Sequence, residues 1–402
     1  MQDLTHDIAT IRRTGESFGL RFLDVHFQSA SRDALSELAS FGLPNRFSHW
    51  YFGGIYKRLK TQQDENMFQI LELVLNTDPS YAFLLETNSY LENRMVIAHV
   101  FGHVDFFKNN RWYKQSDKGI LDTCERNART IRRMEPVVGK DLLDDIIASA
   151  LTISSTVDPF ELDPNSQRKK LLYFLSENAP IALRALPRSD PRRKVLSVAA
   201  RILPRMRAEM DYFDLIGRTQ IINEGWASFV ERSILRHVLT PAEWLDFSLA
   251  FSKRPAHYLI GCALFEKAFE QGGWDKILMI RSHYEDIAFV DEYLSDDLCR
   301  ELDLFVQTKD STKRNHSARA VKDRIIYEKL FKGQPLVEVE DYERSTRAIA
   351  LRNIEEGRRL DRRRTELFLQ SLYRLWPFDL SLIDGDVTYR YGAAGFSHER
   401  SS

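Results

Sequence analysis

The spacing of apolar residues along most of this chain is the feature that most restricts its fold. In five long segments, apolar side chains recur every three or four residues with few interior glycines, as in an α-helix that buries one face. These segments are Glu65–Asn76, Asn88–Phe107, Lys140–Thr152, Lys194–Leu203 and Glu224–Val238. Because such faces must be buried against neighbouring elements, the sequence predicts an irregular multi-helix domain.

The pattern changes beyond residue 307. A polar run, STKRNHSARAVKDR, is followed by VEVEDY, which alternates as a strand does. DLSLIDGDVTYRY is typical of a hairpin that turns around Asp384 and Gly385. We therefore predict a mainly α protein, with a helical core over residues 1–307 and a small α+β C-terminal region over residues 308–402.

Composition narrows the classes of partner and compartment. The chain has 57 Lys and Arg against 58 Asp and Glu, a formal charge of −1, so no overall field favours nucleic acid and we expect no such partner. Its three widely separated cysteines fit a reducing compartment. The N-terminus lacks a signal-peptide core, and no stretch approaches the roughly 18 apolar residues of a membrane span. We expect a cytoplasmic protein.

The candidate metal-binding residues lie in two short motifs, HVFGH at residues 99–103 and NEGWA at residues 223–227. His99 and His103 are four residues apart, so they project from one helical face, and Glu224 on another helix can supply a third ligand. A glutamate between apolar flanks is costly to bury unpaired, and a cation removes that cost. We predict a Zn²⁺ site from these three residues. Neutral core histidines are the alternative, because this spacing also arises by chance.

Other carboxylates have more than one interpretation. Glu231 follows Glu224 by seven residues on the same helical face, so it can be a fourth ligand, a hydrogen-bond acceptor for a ligand histidine, or the partner of an arginine. Val100 occupies the position of the general base in the zinc-peptidase motif HExxH. Glu86 would replace that base if the chain turned at residues 87–89.

A site for two metal ions is a further alternative. It would add Glu86, Glu92 or Glu209 to the three main ligands, in the manner of carboxylate sites in helical bundles. No ExxH pair occurs at His99 or His103, which is the motif that such bundles use.

Four stretches, in this order along the chain, resemble the SpoVR family, the relatives of stage V sporulation protein R. They are GLPNRFSHWYFGGIYKRLKTQ (42–62), LLETNSYLENRMVIAHVFGHVDFFKNN (84–110), GRTQIINEGWASFVE (217–231) and DIAFVDEYLSDDLCRELDLFV (286–306). The resemblance implies a bacterial cytoplasmic protein associated with sporulation and spore cortex formation. In bacteria that do not form spores, it implies a link with a serine protein kinase and a von Willebrand-type domain protein.

The resemblance also bears on the site. His99, His103 and Glu224 stand where the family pattern places these residues, whereas at position 231 many relatives are expected to carry histidine. We predict a metal-dependent hydrolase, with an amide bond in cell-wall precursors as substrate, water as nucleophile and Glu86 as base. The alternative is a non-catalytic regulatory or scaffold protein whose metal is structural or absent, and Val100 favours it.

Overall fold

The computed structural model describes residues 4–44, 46–53, 55–57, 72–154, 170–307, 314–331, 336–354 and 359–400. The chain forms two compact units. The first comprises residues 1–44, 50–121 and 215–326, and the second comprises residues 45–49, 122–214 and 327–402. The sequence suggested a division at residue 307, whereas here residues 122–214 group with the C-terminal region.

Helices dominate the described residues. In chain order they are α1 (Thr5–Ser17), α2 (Arg32–Phe41), α3 (Tyr90–Asn109), α4 (Ile120–Val138), α5 (Lys140–Ser154), α6 (Leu171–Ala185), α7 (Arg192–Arg218), α8 (Gln220–Val238), α9 (Pro241–Phe251), α10 (Ala256–His283), α11 (Asp286–Tyr293), α12 (Asp296–Glu301), α13 (Ala318–Phe331) and α14 (Arg362–Leu375). The strands are β1 (Val25–Ala30), β2 (Glu72–Leu75), β3 (Ser80–Leu85), β4 (Val306–Gln307), β5 (Arg314–Asn315), β6 (Val337–Tyr342), β7 (Ile349–Asn353), β8 (Leu380–Asp384), β9 (Val387–Gly392) and β10 (Gly395–Arg400).

The core of the first unit is built around α8, which packs on α3 and on α10. Glycines allow these helices to approach backbone to backbone. A Cβ atom on Gly102 of α3 would lie 2.5 Å from the Cα atom of Ala227, and one on Gly225 would lie 2.3 Å from the carbonyl carbon of Gly261. The glycines inside the HVFGH and NEGWA motifs therefore set the distance between the helices that carry the candidate ligands.

A small sheet completes the first unit. Its strand order is β1-β3-β2, with β1 parallel to β3 and β2 antiparallel to it. The strand β3 leads directly towards α3, whose start is fixed by a capping box between Ser89 and Glu92. The sheet thus positions the N-terminus of the helix that carries both histidines.

The second unit combines helices with a five-stranded sheet of order β10-β9-β8-β7-β6. The pair β7 and β8 is parallel, and the other neighbours are antiparallel. One face of α14 packs on α5 and on β9. Because α5 buries its apolar residues in this contact, the helical segment before residue 214 belongs structurally with the C-terminal strands.

The predicted fold class is confirmed: the chain is mainly α with a small α+β C-terminal region. The strand at VEVEDY and the hairpin around Gly385 are also confirmed. The helix predicted over Glu65–Asn76 is wrong at its C-terminal end, where Glu72–Leu75 forms β2 and pairs with β3; residues 65–71 lie outside the described part. None of the described helices is long and apolar enough to span a membrane.

Candidate metal centre

The two histidines of the HVFGH motif lie on the buried middle of α3. Every residue from Arg94 to Phe107 is buried, so α3 contacts other elements on all sides. The rings of His99 and His103 are nearly perpendicular, at 85°, with centroids 4.6 Å apart. Their shared face is directed at α8, which approaches closely at Gly102.

Glu224 completes a three-residue group. Its Oε2 atom lies 3.4 Å from Nε2 of His99 and 3.3 Å from Nε2 of His103. Among the described residues, these three offer ligand atoms that all lie within 4.8 Å of one another. Two ligands of one tetrahedral zinc ion, bonded at about 2.0–2.1 Å, are about 3.3 Å apart, so these separations match such an ion.

Both imidazoles are oriented by a hydrogen bond on the opposite side of the ring. Nδ1 of His99 lies 3.0 Å from Oε2 of Glu231, and Nδ1 of His103 lies 3.0 Å from Oδ1 of Asn223. Since an oxygen can only accept here, each Nδ1–H donates, and Nε2 on the other side of each ring faces Glu224. Metal-binding histidines are commonly held in this way, which fixes the tautomer and the ring orientation.

Two of the converging atoms have unsatisfied hydrogen-bonding capacity. Nε2 of His99 and Oε2 of Glu224 are buried and have no hydrogen-bond partner of good geometry among the described residues. A buried polar atom without a partner costs about 1–3 kcal/mol, and more when it is charged. A cation between the three side chains would satisfy both atoms at once. The donor set, two neutral imidazoles and a carboxylate, is one that zinc accepts.

The electrostatics of the group favour positive charge. Burial opposes ionisation of Glu224, yet the adjacent imidazoles of His103 and His99 lower the pKa of its carboxyl below the ordinary value. Burial also opposes protonation of His99, but its contacts with Glu224 and Glu231 raise its pKa to about 9. The two carboxylates therefore attract a cation to this position, whether a proton or a metal ion.

Glu231 lies on the far side of His99 from the other candidate ligands. It is fully buried, and Arg254 donates to both of its oxygens, with Nη2 at 2.8 Å from Oε1. The structure therefore combines two of the roles considered for Glu231, acceptor for a ligand histidine and partner of an arginine. It does not place Glu231 among the converging ligand atoms.

Glu86 is not brought to this group. It is exposed at the end of β3, before the N-cap of α3, and it lines a surface groove with Ile8 and Phe27. His99 lies nine residues beyond the start of α3, about 13 Å along the axis at 1.5 Å per residue. The expected turn at residues 87–89 is present, but it directs Glu86 away from the helix interior.

The carboxylates of the two-metal alternative have other partners. The side chain of Glu92 accepts from the backbone N–H of Ser89 in the capping box. Glu209 belongs to the second unit, where Arg46 and Asn127 donate to it. The structure thus does not gather these residues around His99 and His103.

Sequence reasoning missed several residues around the site. Asn223 was visible within the NEGWA motif but was not assigned a role. Arg254 lies in the connection before α10. Tyr258 lies at the start of α10, and its ring stacks on that of His99 with the ring centroids 5.7 Å apart. No local pattern links that segment to the motifs, so only the packing of α10 on α8 reveals it.

Asp105 of α3 and Trp226 of α8 join the two helices near the candidate ligands. Asp105 is fully buried, and its pKa is raised to about 6, chiefly by that burial. Its carboxylate accepts from the indole N–H of Trp226 at 3.0 Å and from the backbone N–H of Arg21 at 2.8 Å. The bond from Trp226 links the two ligand-bearing helices, and the bond from Arg21 links α3 to the segment that follows α1.

Comparisons with known proteins give matches over the segments that contain the HVFGH and NEGWA motifs. The sequence model described as SpoVR like protein matches residues 1–172, 163–256 and 261–333. The chain is 23% identical over 452 aligned positions to the Escherichia coli (strain K12) protein named Uncharacterized protein YcgB, covering 88% of this chain and 86% of that protein. No solved structure matches the chain. The matched segments extend over most of the sequence and include both motifs, so the chain belongs to the SpoVR family.

Proposed function

We propose that this SpoVR-family protein binds one zinc ion through Nε2 of His99, Nε2 of His103 and the carboxylate of Glu224. The observation that supports the proposal is the convergence of these donor atoms, with Oε2 of Glu224 at 3.3–3.4 Å from both Nε2 atoms. Two of the atoms are buried and lack a hydrogen-bond partner in the described part of the chain. Neutral core histidines explain burial, but they do not explain why both Nε2 atoms are aimed at one carboxylate.

The reaction class that we propose is metal-dependent hydrolysis, with an amide bond in cell-wall precursors as substrate. A zinc ion held by three protein side chains supplies a Lewis acid and a nucleophilic water. The side chains of Glu224 and His103 are 18% and 8% exposed, which leaves a route for water on this side of the group. The hydrogen bonds that His99 and His103 donate to Glu231 and Asn223 would hold both rings with Nε2 facing Glu224.

A non-catalytic regulatory or scaffold function is the second candidate, and one observation favours it. Val100 is fully buried where zinc peptidases of the HExxH type have their general base. Glu86, the replacement considered from the sequence, lies exposed beyond the start of α3. In this second candidate the zinc ion stabilises the contact between α3 and α8 and performs no chemistry.

The cellular role that we propose follows from family membership. It is a function in sporulation and spore cortex formation, or in related stress and cell-envelope physiology where no spores form. A serine protein kinase and a von Willebrand-type domain protein are the partners proposed on the same basis, and a cytoplasmic location stays a prediction.

Elemental analysis of protein purified without a metal-affinity tag tests the metal proposal. We expect about one equivalent of zinc in the wild type and none in the variant His99→Gln/His103→Gln, whose circular dichroism should match the wild type. His237→Gln is the matched control, because His237 is an exposed histidine of α8 outside the group. Wild-type protein that neither contains zinc nor takes it up would overturn the proposal.

A second measurement separates the two candidate functions. Zinc-loaded wild-type protein and Glu224→Gln are incubated with amide-linked peptidoglycan fragments, and product is followed by mass spectrometry. Turnover by the wild type alone supports the hydrolase. Stoichiometric zinc without turnover supports the structural or regulatory function.

A further inference from the structure

The connection between α9 and α10 reaches into the candidate metal centre through one side chain. Arg254 lies in this connection, immediately before Pro255 and α10. Its guanidinium donates from Nη1 and Nη2 to the two oxygens of Glu231. Nη1 also lies 3.4 Å from Oγ of Ser228 and 3.3 Å from Nδ1 of His99. Such a two-pronged contact fixes both the position and the rotation of a carboxylate.

The same carboxylate orients a candidate ligand. Oε2 of Glu231 receives one prong of Arg254 and also accepts from Nδ1 of His99 at 3.0 Å. The imidazole is thereby held with Nε2 directed at Glu224, 3.4 Å away. The chain Arg254–Glu231–His99–Glu224 is continuous, and each contact within it is buried or nearly so.

We infer that Arg254 is a positioning residue for the zinc site, acting through Glu231 on His99, so that zinc affinity depends on the conformation of the α9–α10 connection. This inference rests on the proposed function and adds a means of regulation to it. Any change that withdraws Arg254 leaves Glu231 buried without its cationic partner, and the carboxylate then no longer holds the ring of His99 in place.

If only the charge of Arg254 mattered, its removal would have the opposite effect on zinc affinity. A guanidinium near a divalent cation repels it, so a purely electrostatic role would make removal of Arg254 tighten zinc binding. Lysine distinguishes the two effects, because it keeps the positive charge and cannot make the planar two-pronged contact. Arg254→Lys therefore tests geometry at constant charge, and Arg254→Gln tests geometry and charge together.

Zinc affinity of full-length protein, measured by competition with a chromogenic chelator, provides the test. Loss of an orienting partner typically weakens metal binding 10- to 100-fold, so we expect Arg254→Lys and Arg254→Gln each to bind zinc about 10-fold more weakly. The visible spectrum of the cobalt-substituted protein should change in both variants, since it reports ligand geometry. Arg232→Lys is the control, because Arg232 is the neighbour of Glu231 on α8 and its guanidinium pairs with Glu266.

A double-mutant cycle identifies the route of the effect. In the Glu231→Gln background, Arg254→Lys should weaken zinc binding much less than in the wild type, because the effect of Arg254 reaches His99 mainly through Glu231. A loss as large as in the wild type would mean that the direct contact of Arg254 with His99 is the route. Wild-type affinity in Arg254→Lys, with tighter binding in Arg254→Gln, would overturn the inference and leave the zinc site intact. A wild type that binds no zinc would instead refute the proposed function itself.

Discussion

Two glutamates, the fully buried Glu209 in the second unit and the partly buried Glu224 in the first, have carboxylates in very different surroundings. Glu209 on α7 receives hydrogen bonds from Nε of Arg46 at 2.8 Å and from Nδ2 of Asn127 at 3.0 Å, so its charge is neutralised by the protein itself. Glu224 on α8 has two imidazole nitrogens at 3.3–3.4 Å, and its Oε2 has no hydrogen bond of good geometry from the residues that the structure describes. The charge of Glu209 is therefore compensated by donors from the protein, whereas the arrangement of atoms around Glu224 suits a bound cation.

The largest expected difference between the two glutamates is in the zinc content of the protein after each carboxylate is removed. Glu224→Gln keeps the size of the side chain and loses the charge, so we expect zinc to fall from about one equivalent to none. Glu209→Gln should leave the zinc content unchanged, because Glu209 contacts none of the proposed ligands. Inductively coupled plasma mass spectrometry of both purified variants measures this, and equal zinc in the two would remove the distinction.

Breaking the ion pair of the second unit should affect stability alone. Arg46→Met leaves Glu209 buried without its cationic partner, a change that typically costs about 3–5 kcal/mol. Chemical denaturation of the variant should show this loss of unfolding free energy, while zinc content stays at the wild-type value. A loss of zinc in Arg46→Met would mean that the two glutamates are not independent.

Zinc should stabilise the protein only while Glu224 is present. A ligand that binds the folded state raises the free energy of unfolding by about 2.7 kcal/mol when its free concentration is 100 times the dissociation constant. We expect this increase on adding zinc to metal-free wild type and none in Glu224→Gln. Stabilisation of both proteins by the same amount would place the zinc elsewhere.

The two asparagines next to these glutamates provide the smallest contrast. Asn223→Ala removes the acceptor for Nδ1 of His103, and we expect zinc to bind about 10-fold more weakly. Asn127→Ala removes a donor to Glu209 and should leave zinc affinity unchanged. If Asn223→Ala bound zinc as tightly as the wild type, the orientation of His103 would not depend on that hydrogen bond.

Much of the helical architecture could be predicted because its signal is local. The apolar periodicity of Asn88–Phe107 and Glu224–Val238 matches α3 and α8 closely, and Ser89 is the N-cap of α3. The N-terminal sheet was not predicted. A short apolar run such as ELVL fits helix and strand equally, and its pairing with β3 is decided by tertiary contacts.

Some residues of the candidate site could likewise be predicted from the sequence, and others could not. Helical spacing was enough to place His99 and His103 on one face, and the apolar flanks of Glu224 were enough to propose it as their partner. The spacing of Glu231 left its role open, because only the side of the imidazole on which it lies separates a ligand from an acceptor. Arg254 could not be found, since its relation to Glu231 depends on how α10 packs and not on any motif.

Anomalous diffraction at the zinc edge from zinc-loaded crystals tests the central claim most directly. We expect one strong peak within about 2.0–2.2 Å of Nε2 of His99, Nε2 of His103 and a carboxylate oxygen of Glu224. Glu231 should remain on the Nδ1 side of His99, bound to Arg254. Zinc-loaded crystals without a peak between these three side chains, or with the zinc bound by other residues, would contradict the account.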